Sequence, residues 1–213
     1  MGKCIVVIAD IEGSKEIKEK DREILQQDLQ EVLDERNNGN EGILSPYTIT
    51  LGDEFQAVLG KADYLFLDMF RILAVLHPVG VRFSIGVGEV VTPINQQQAI
   101  GMDGPAFHEA REGINQLKES GFLFGFRIEG GNDLDIKIIN NSLQLLSKEM
   151  RKWNKRRMLI LQMLMEGYDY KFISDKLEIS TVAFYKNKDA GALDIIDELS
   201  DNIIQAINKR LEE

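Results

Sequence analysis

Ile49-Thr-Leu-Gly-Asp-Glu-Phe-Gln56 sets two carboxylates beside a glycine, between two runs that read as strands. Residues 47–51 are rich in β-formers and residues 55–59 are apolar enough for a buried strand, so the spacing predicts a hairpin bending at Gly52 and Asp53. Gly-Asp serves many turns that carry no chemistry. This one gains weight from a second carboxylate-bearing loop upstream. Residues 3–9 are a continuous apolar run with Ile5, Val6 and Val7 in succession, the pattern of a strand buried on both faces. The run stops at Asp10-Ile-Glu-Gly-Ser14, where Gly13 permits a sharp turn and Ser14 suits the N-cap of a helix. Elements close in sequence are usually neighbours in space, so Asp10 and Asp53 are expected side by side at one end of a sheet.

Working outward, apolar residues from Ile17 to Leu33 recur at helical spacing, and residues 37–42 end that helix. Residues 62–76 form a strongly apolar helix. Residues 81–90 alternate as a strand, with Phe83, Ile85 and Val87 on one face and Gly86 and Gly88 on the other, where a helix is expected to pack closely. Asp103-Gly-Pro105 opens a helix running to about residue 120. Residues 122–128 and 134–139 read as two more strands, joined by a second hairpin at residues 129–133. The order β-α-β-β-α-β-α-β-β predicts an α+β domain over residues 1–145. Its sheet should be ferredoxin-like and antiparallel-rich, with helices on one face.

Residues 146–213 form a second, all-α part. After a helical connection over residues 142–157 come three short units, 157–165, 170–177 and 181–186, with turns at Gly167 and at residues 178–180. That is the layout of a helix-turn-helix. In the long last helix Leu193, Ile196, Leu199, Ile203, Ile207 and Leu211 form one stripe, to be covered by its own domain or by a partner copy. A homodimer is expected.

The net charge of −10 is uneven: residues 1–150 hold 14 Lys and Arg against 24 Asp and Glu, while residues 151–213 hold 11 of each. The first part is therefore unsuited to non-specific nucleic-acid binding, and the second is neutral toward it. A lone cysteine, Cys4, no signal-like apolar segment and no run of ~20 apolar residues predict a cytoplasmic chain without a membrane span.

Asp10 and Asp53, with Glu54 beside them, suit Mg²⁺, which takes one or two carboxylates plus nucleotide phosphates. The loop Ile11, Glu12, Gly13 and Ser14, with Gly52 of the turn, would offer groups to those phosphates. Asp103, beside Gly104 and Pro105, is read as a helix-entry residue.

Taken together, Asp10-Ile-Glu-Gly-Ser14, Leu51-Gly-Asp-Glu-Phe55, Arg82-Phe-Ser-Ile-Gly-Val-Gly-Glu89 and Ala99-Ile-Gly-Met-Asp-Gly-Pro-Ala-Phe-His-Glu-Ala-Arg111 resemble, in order and spacing, the class III nucleotidyl cyclases. As a set they look most like the SatD family, bacterial proteins pairing such a domain with a C-terminal helix-turn-helix. The resemblance implies that Asp10 and Asp53 hold metal and that Arg111 stabilises a pentavalent phosphate. His108, one turn away, is read either as a packing residue or as a proton-handling or phosphate group. Where the cyclases carry an asparagine this chain has Phe107, and where many carry an adenine-reading lysine it has Ile49. Cyclic-nucleotide turnover is therefore expected to be absent or slow.

The segment from Gly167 to Lys186 resembles the helix-turn-helix of sigma-factor region 4, and a winged-helix-like arrangement is the other layout considered. Thr181, Tyr185, Lys186 and Lys188 would then face DNA, with Lys155, Arg156 and Arg157 on phosphates. Three functions follow: a nucleotide-binding regulator that contacts DNA, an active Mg²⁺-dependent cyclase or phosphotransferase, and a protein-interaction scaffold.

Overall fold

The computed structural model describes residues 2–39, 42–131 and 133–213. Five strands, β1 (Cys4–Ile11), β2 (Ile43–Ile49), β3 (Glu54–Leu59), β4 (Val81–Gly88) and β5 (Phe124–Ile128), form one sheet in the order β2-β3-β1-β4-β5. The unbroken apolar run of β1 takes the centre, and all eight of its residues are buried. β1 lies antiparallel to β3 and β4, β3 antiparallel to β2, and β5 parallel to β4. With α1 (Glu19–Gly39) and α2 (Leu65–Leu76), the first four strands make a split βαββαβ unit. The hairpin bends where expected: Gly52 has φ 62 and the Thr50 N–H donates to the Glu54 carbonyl at 2.8 Å.

Alternation along β1 sorts the core into two layers. Ile5, Val7 and Ala9 join the apolar residues of α1 and α2, whereas Cys4, Val6 and Ile8 pack with Ala106, Ala110 and Ile114 of α3 (Pro105–Ser120). Helices on a single face were expected, and α3 corrects this by covering the other. The glycines of β4 admit it. A Cβ on Gly86 would overlap the Ala106 carbonyl and the Ala110 amide of α3. Residues 91–103 cover the rest of that face, tied to β2 by the Ala99 N–H donating to Thr48 Oγ1 at 2.9 Å and by Ser45 Oγ donating to the Asn95 carbonyl at 2.5 Å.

Residues 134–139 are not a strand. They open α4 (Leu134–Met150), whose N-cap Asp133 accepts from the Ile136 N–H at 3.1 Å. Ile136, Ile139, Leu143, Leu146 and Met150 are buried at a helical period. The hairpin expected at residues 129–133 falls with that strand, and Asn132 lies outside the described residues. α4 also closes the open edge of the sheet, a job that an added strand would have done. Asn140 accepts from the Phe126 N–H at 3.0 Å and donates to its carbonyl at 2.8 Å, while Ser147 Oγ accepts from Leu123 N–H at 3.0 Å.

Beyond α4 follow α5 (Lys155–Met165), α6 (Tyr170–Lys176), α7 (Thr181–Ala190) and α8 (Leu193–Glu212). The boundary expected at residue 145 falls inside α4, and one apolar cluster continues from the sheet through α2 and α5 to α8. Leu193, Ile196, Ile203 and Ile207 are buried in that cluster, so most of the α8 stripe is covered by its own chain. Among the described residues no helix is long and apolar enough to cross a membrane.

One ion pair lies inside the first layer. Arg36 of α1 donates through Nε to Asp68 of α2 at 2.5 Å, and the Tyr47 hydroxyl of β2 donates to the other Asp68 oxygen at 3.1 Å. Burial pushes the Asp68 carboxyl up to about 6, against the opposing pull of Arg36 and the Tyr47 hydroxyl. An unfolded aspartate titrates near ~4. The folded state therefore holds this proton more tightly, and the stability it contributes is complete below pH ~4 and lost as pH rises through about 6. We expect the Asp68 carboxyl carbon to titrate in NMR with a midpoint near pH 6; a midpoint at or below ~4 would contradict the assignment.

Candidate functional site at the sheet end

Asp10 and Glu54 are cross-strand partners at one end of the sheet, and both are buried, 7% and 6% exposed. Two carboxylates facing each other across neighbouring strands repel unless neutralised. The cations come chiefly from α3. Lys118 Nζ sits 2.8 Å from Asp10 Oδ1, and Arg111 forks onto Glu54 with Nη1 and Nη2 at 2.5 and 2.8 Å. Arg82, on the strand beside Asp10, donates to Asp10 Oδ2 at 3.1 Å and pairs with Glu12 Oε1 at 2.8 Å. Its Nε is buried without a partner.

Glu12 carries a second fork. Arg151, at the C-terminal end of α4, donates to both its oxygens at 2.9 and 2.8 Å, and also to the Gly121 carbonyl at 2.6 Å. Glu12 thus acts through its carboxylate, tying the β1 end to the start of the C-terminal helices.

Asp53 lies at the same end, since the Ile11 N–H donates to its carbonyl at 2.9 Å. Ser14 does not cap a helix. With Gly13 at φ 64, residues Ser14–Glu16 make a short 3-10 turn without a side-chain cap, and Ser14 Oγ donates to Asp53 Oδ2 at 2.5 Å. Beside this pair is a cavity of about 220 Å³, walled by Ile11 and Leu25 and edged by Ser14, Gly52, Asp53 and Arg22. Arg22 donates to the Ser14 carbonyl at 2.8 Å, and its Nε is also buried and unpartnered.

Mg²⁺ was the expected occupant, and the carboxylates as arranged do not fit it. Both Asp10 oxygens carry a full positive partner, Glu54 is clamped by a bidentate arginine, and Asp53 is held by Ser14. A divalent ion on Asp10 would stand beside two cations, and like charges at contact distance disfavour one another strongly in a partly buried site. Among the described residues no group of three His, Cys, Asp or Glu is placed to hold a metal.

The remaining expected site residues scatter. His108 pairs with Asp103 at 3.0 Å on an exposed surface, Phe107 is buried in the α3 layer, and Ile49 packs against the first layer. On α7, Thr181, Tyr185 and Lys186 are exposed, while Lys188 pairs with Asp194 at 2.9 Å. Lys155 reaches the Val75 carbonyl at 3.5 Å, Arg157 lies over the Trp153 ring at 5.9 Å, and Arg156 is exposed. The reading from sequence missed Lys118, Arg82 as a counter-ion, and the pairing of Arg151 with Glu12. Lys118 had a signal: it follows Arg111 by seven residues, two turns along the same helix face.

Fold and site together define an α+β protein with a five-stranded mixed sheet, whose open end carries a cluster of carboxylates and cations. The profile of the SatD family matches residues 4–200, nearly the whole chain, and the chain belongs to that family. It is the family that the four motifs resemble. No curated protein matches. Among solved structures, a bacterial light-regulated adenylyl cyclase is similar at 18% identity and a TM-score of 0.44, over 59% of this chain and 75% of that one. A second structure of a bacterial light-regulated adenylyl cyclase gives 16% and 0.44, with this chain spanning 43% of its length. The catalytic core of a rhodopsin-guanylyl cyclase in complex with ATPαS gives 16% and 0.36, over 52% of this chain and 70% of that one.

Proposed function

We propose that this chain is a nucleotide-binding regulatory protein. The sheet end receives a nucleotide through its phosphates, and the C-terminal helices, with α6 and α7 as a helix-turn-helix, contact DNA. The observation that carries this reading is the sheet-end cluster, in which Asp10, Glu12 and Glu54 are balanced by Arg82, Arg111, Lys118 and Arg151. The side chains of Arg111 and Lys118 remain 47% and 43% exposed, and each has N–H donors beyond those it gives to a carboxylate. Phosphate oxygens are the natural takers of such donors.

Coupling to the helices runs through Glu12, which shares Arg82 with Asp10 and holds Arg151 just ahead of α5. A ligand that draws Arg82 toward its phosphates weakens that anchor. On the helical side, Thr181, Tyr185, Lys186 and Arg156 are the exposed groups available to DNA. Such binding, resting on phosphate contacts by Lys186 and Arg156, should weaken as salt is raised.

The test is calorimetric titration of the full chain with ATP and GTP. Binding is expected, and Arg111→Ala should weaken it about tenfold or more, since a hydrogen bond to a charged group contributes roughly 1.5–3 kcal/mol. No cyclic product should form, because Phe107 and Ile49 offer neither ribose nor base a hydrogen bond. The same protein should bind promoter fragments at low salt, with an affinity that changes when nucleotide is added. Failure of every nucleotide to bind would contradict the reading.

A further inference from the structure

We propose that Lys118 stands where a divalent cation would otherwise sit on Asp10, so that the sheet-end site binds phosphate groups without a metal. This rests on the nucleotide-binding reading above and narrows it to a metal-free, cation-lined site. The ammonium at 2.8 Å on Oδ1 and the guanidinium at 3.1 Å on Oδ2 together satisfy both oxygens of a carboxylate that is only 7% exposed. Lys118 and Arg82 thus occupy the two oxygens on which a metal would bind.

Their placement follows from the fold. Gly86 and Gly88 let α3 lie directly on β4, and Arg111 and Lys118, two turns apart, are carried to two carboxylates that are themselves direct cross-strand neighbours. Lys118 uses one of three donors on Asp10, Arg111 two of five on Glu54, and the Arg82 Nε is unpartnered. The donors left over suit the oxygens of a di- or triphosphate chain. Such a chain arrives either as a nucleotide or as inorganic polyphosphate.

The full chain is titrated with ATP, GTP and inorganic triphosphate, each in excess EDTA and again in excess Mg²⁺. Affinity for at least one nucleotide should be the same within about threefold in the two conditions. Lys118→Met should lower the EDTA affinity about tenfold and, by uncovering Asp10, make binding Mg²⁺-dependent. Stronger binding of triphosphate than of either nucleotide would assign the site to free polyphosphate, overturning the nucleotide reading while keeping the metal-free one. Wild-type binding that requires Mg²⁺ would overturn this inference and leave nucleotide binding standing. No binding in either condition would overturn both. The wild-type comparison decides the matter even if the variant folds poorly.

Discussion

Replacing Asp68 by alanine is expected to cost about 3–5 kcal/mol of stability, the usual penalty for leaving a buried charge without its partner. Asp68 is fully buried and Arg36 only 9% exposed, and the carboxylate also accepts the Tyr47 hydroxyl. Deleting the carboxylate strands a guanidinium and a hydroxyl among the apolar residues of α1, α2 and β2. For a domain of this size the loss corresponds to a fall in melting temperature of about 10 °C. Tyr47→Phe should cost only about 1 kcal/mol, because it removes one neutral donor and leaves the ion pair whole. Replacing Arg36 by methionine together with Asp68 by leucine should recover most of the loss, since apolar residues can stand in for a buried pair. Thermal melts of the three variants check this; an Asp68→Ala protein as stable as the wild type would show that the pair contributes nothing.

The second large effect is expected at Gly86→Val. The added side chain meets the Ala106 carbonyl and the Ala110 amide, backbone atoms of a helix that cannot yield as a flexible side chain can. The cost should reach about 3 kcal/mol, the upper part of the overpacking range. Because α3 is the element displaced, Arg111 and Lys118 should also leave Glu54 and Asp10, so nucleotide affinity falls along with stability. Gly125→Ala is the control: there a Cβ meets only Leu117 side-chain atoms, at 3.4 Å and beyond. It should change stability little. A Gly86→Val chain that melts like the Gly125→Ala chain would refute the close packing of α3 on β4.

Much of the fold could be read from the residues because local pattern and burial agree there. The run from Cys4, the turn at Gly52 and Asp53, the apolar residues of α2 and the alternation of β4 each specify one element, and each appears in place. Residues 134–139 misled because Ile136, Ile138 and Ile139 are β-branched and a short apolar run suits either state. Followed about three turns further, through Leu143, Leu146 and Met150, the same residues keep a helical period. The face on which α3 lies was not legible, since the close approach allowed by Gly86 and Gly88 marks a helix without saying which strand ends its side chains will meet. That gap hid the site's character. Asp10, Glu12, Asp53 and Glu54 announce themselves by charge at strand ends, but Arg82 and Lys118, which pair with Asp10, and Arg151, which pairs with Glu12, are 72 to 141 residues from Asp10 on other elements and meet these carboxylates only once the sheet is assembled.

Binding of a nucleotide's phosphates at the sheet end should be visible in the backbone amide resonances of the full chain as ATP or GTP is added. Shifts are expected to concentrate at residues 10–14, at Gly52, Asp53 and Glu54, and at Arg111 and Lys118, reaching Arg151 through Glu12. Shifts confined to other surfaces, such as α6 and α7, or no shifts at all, would show that phosphates do not bind there.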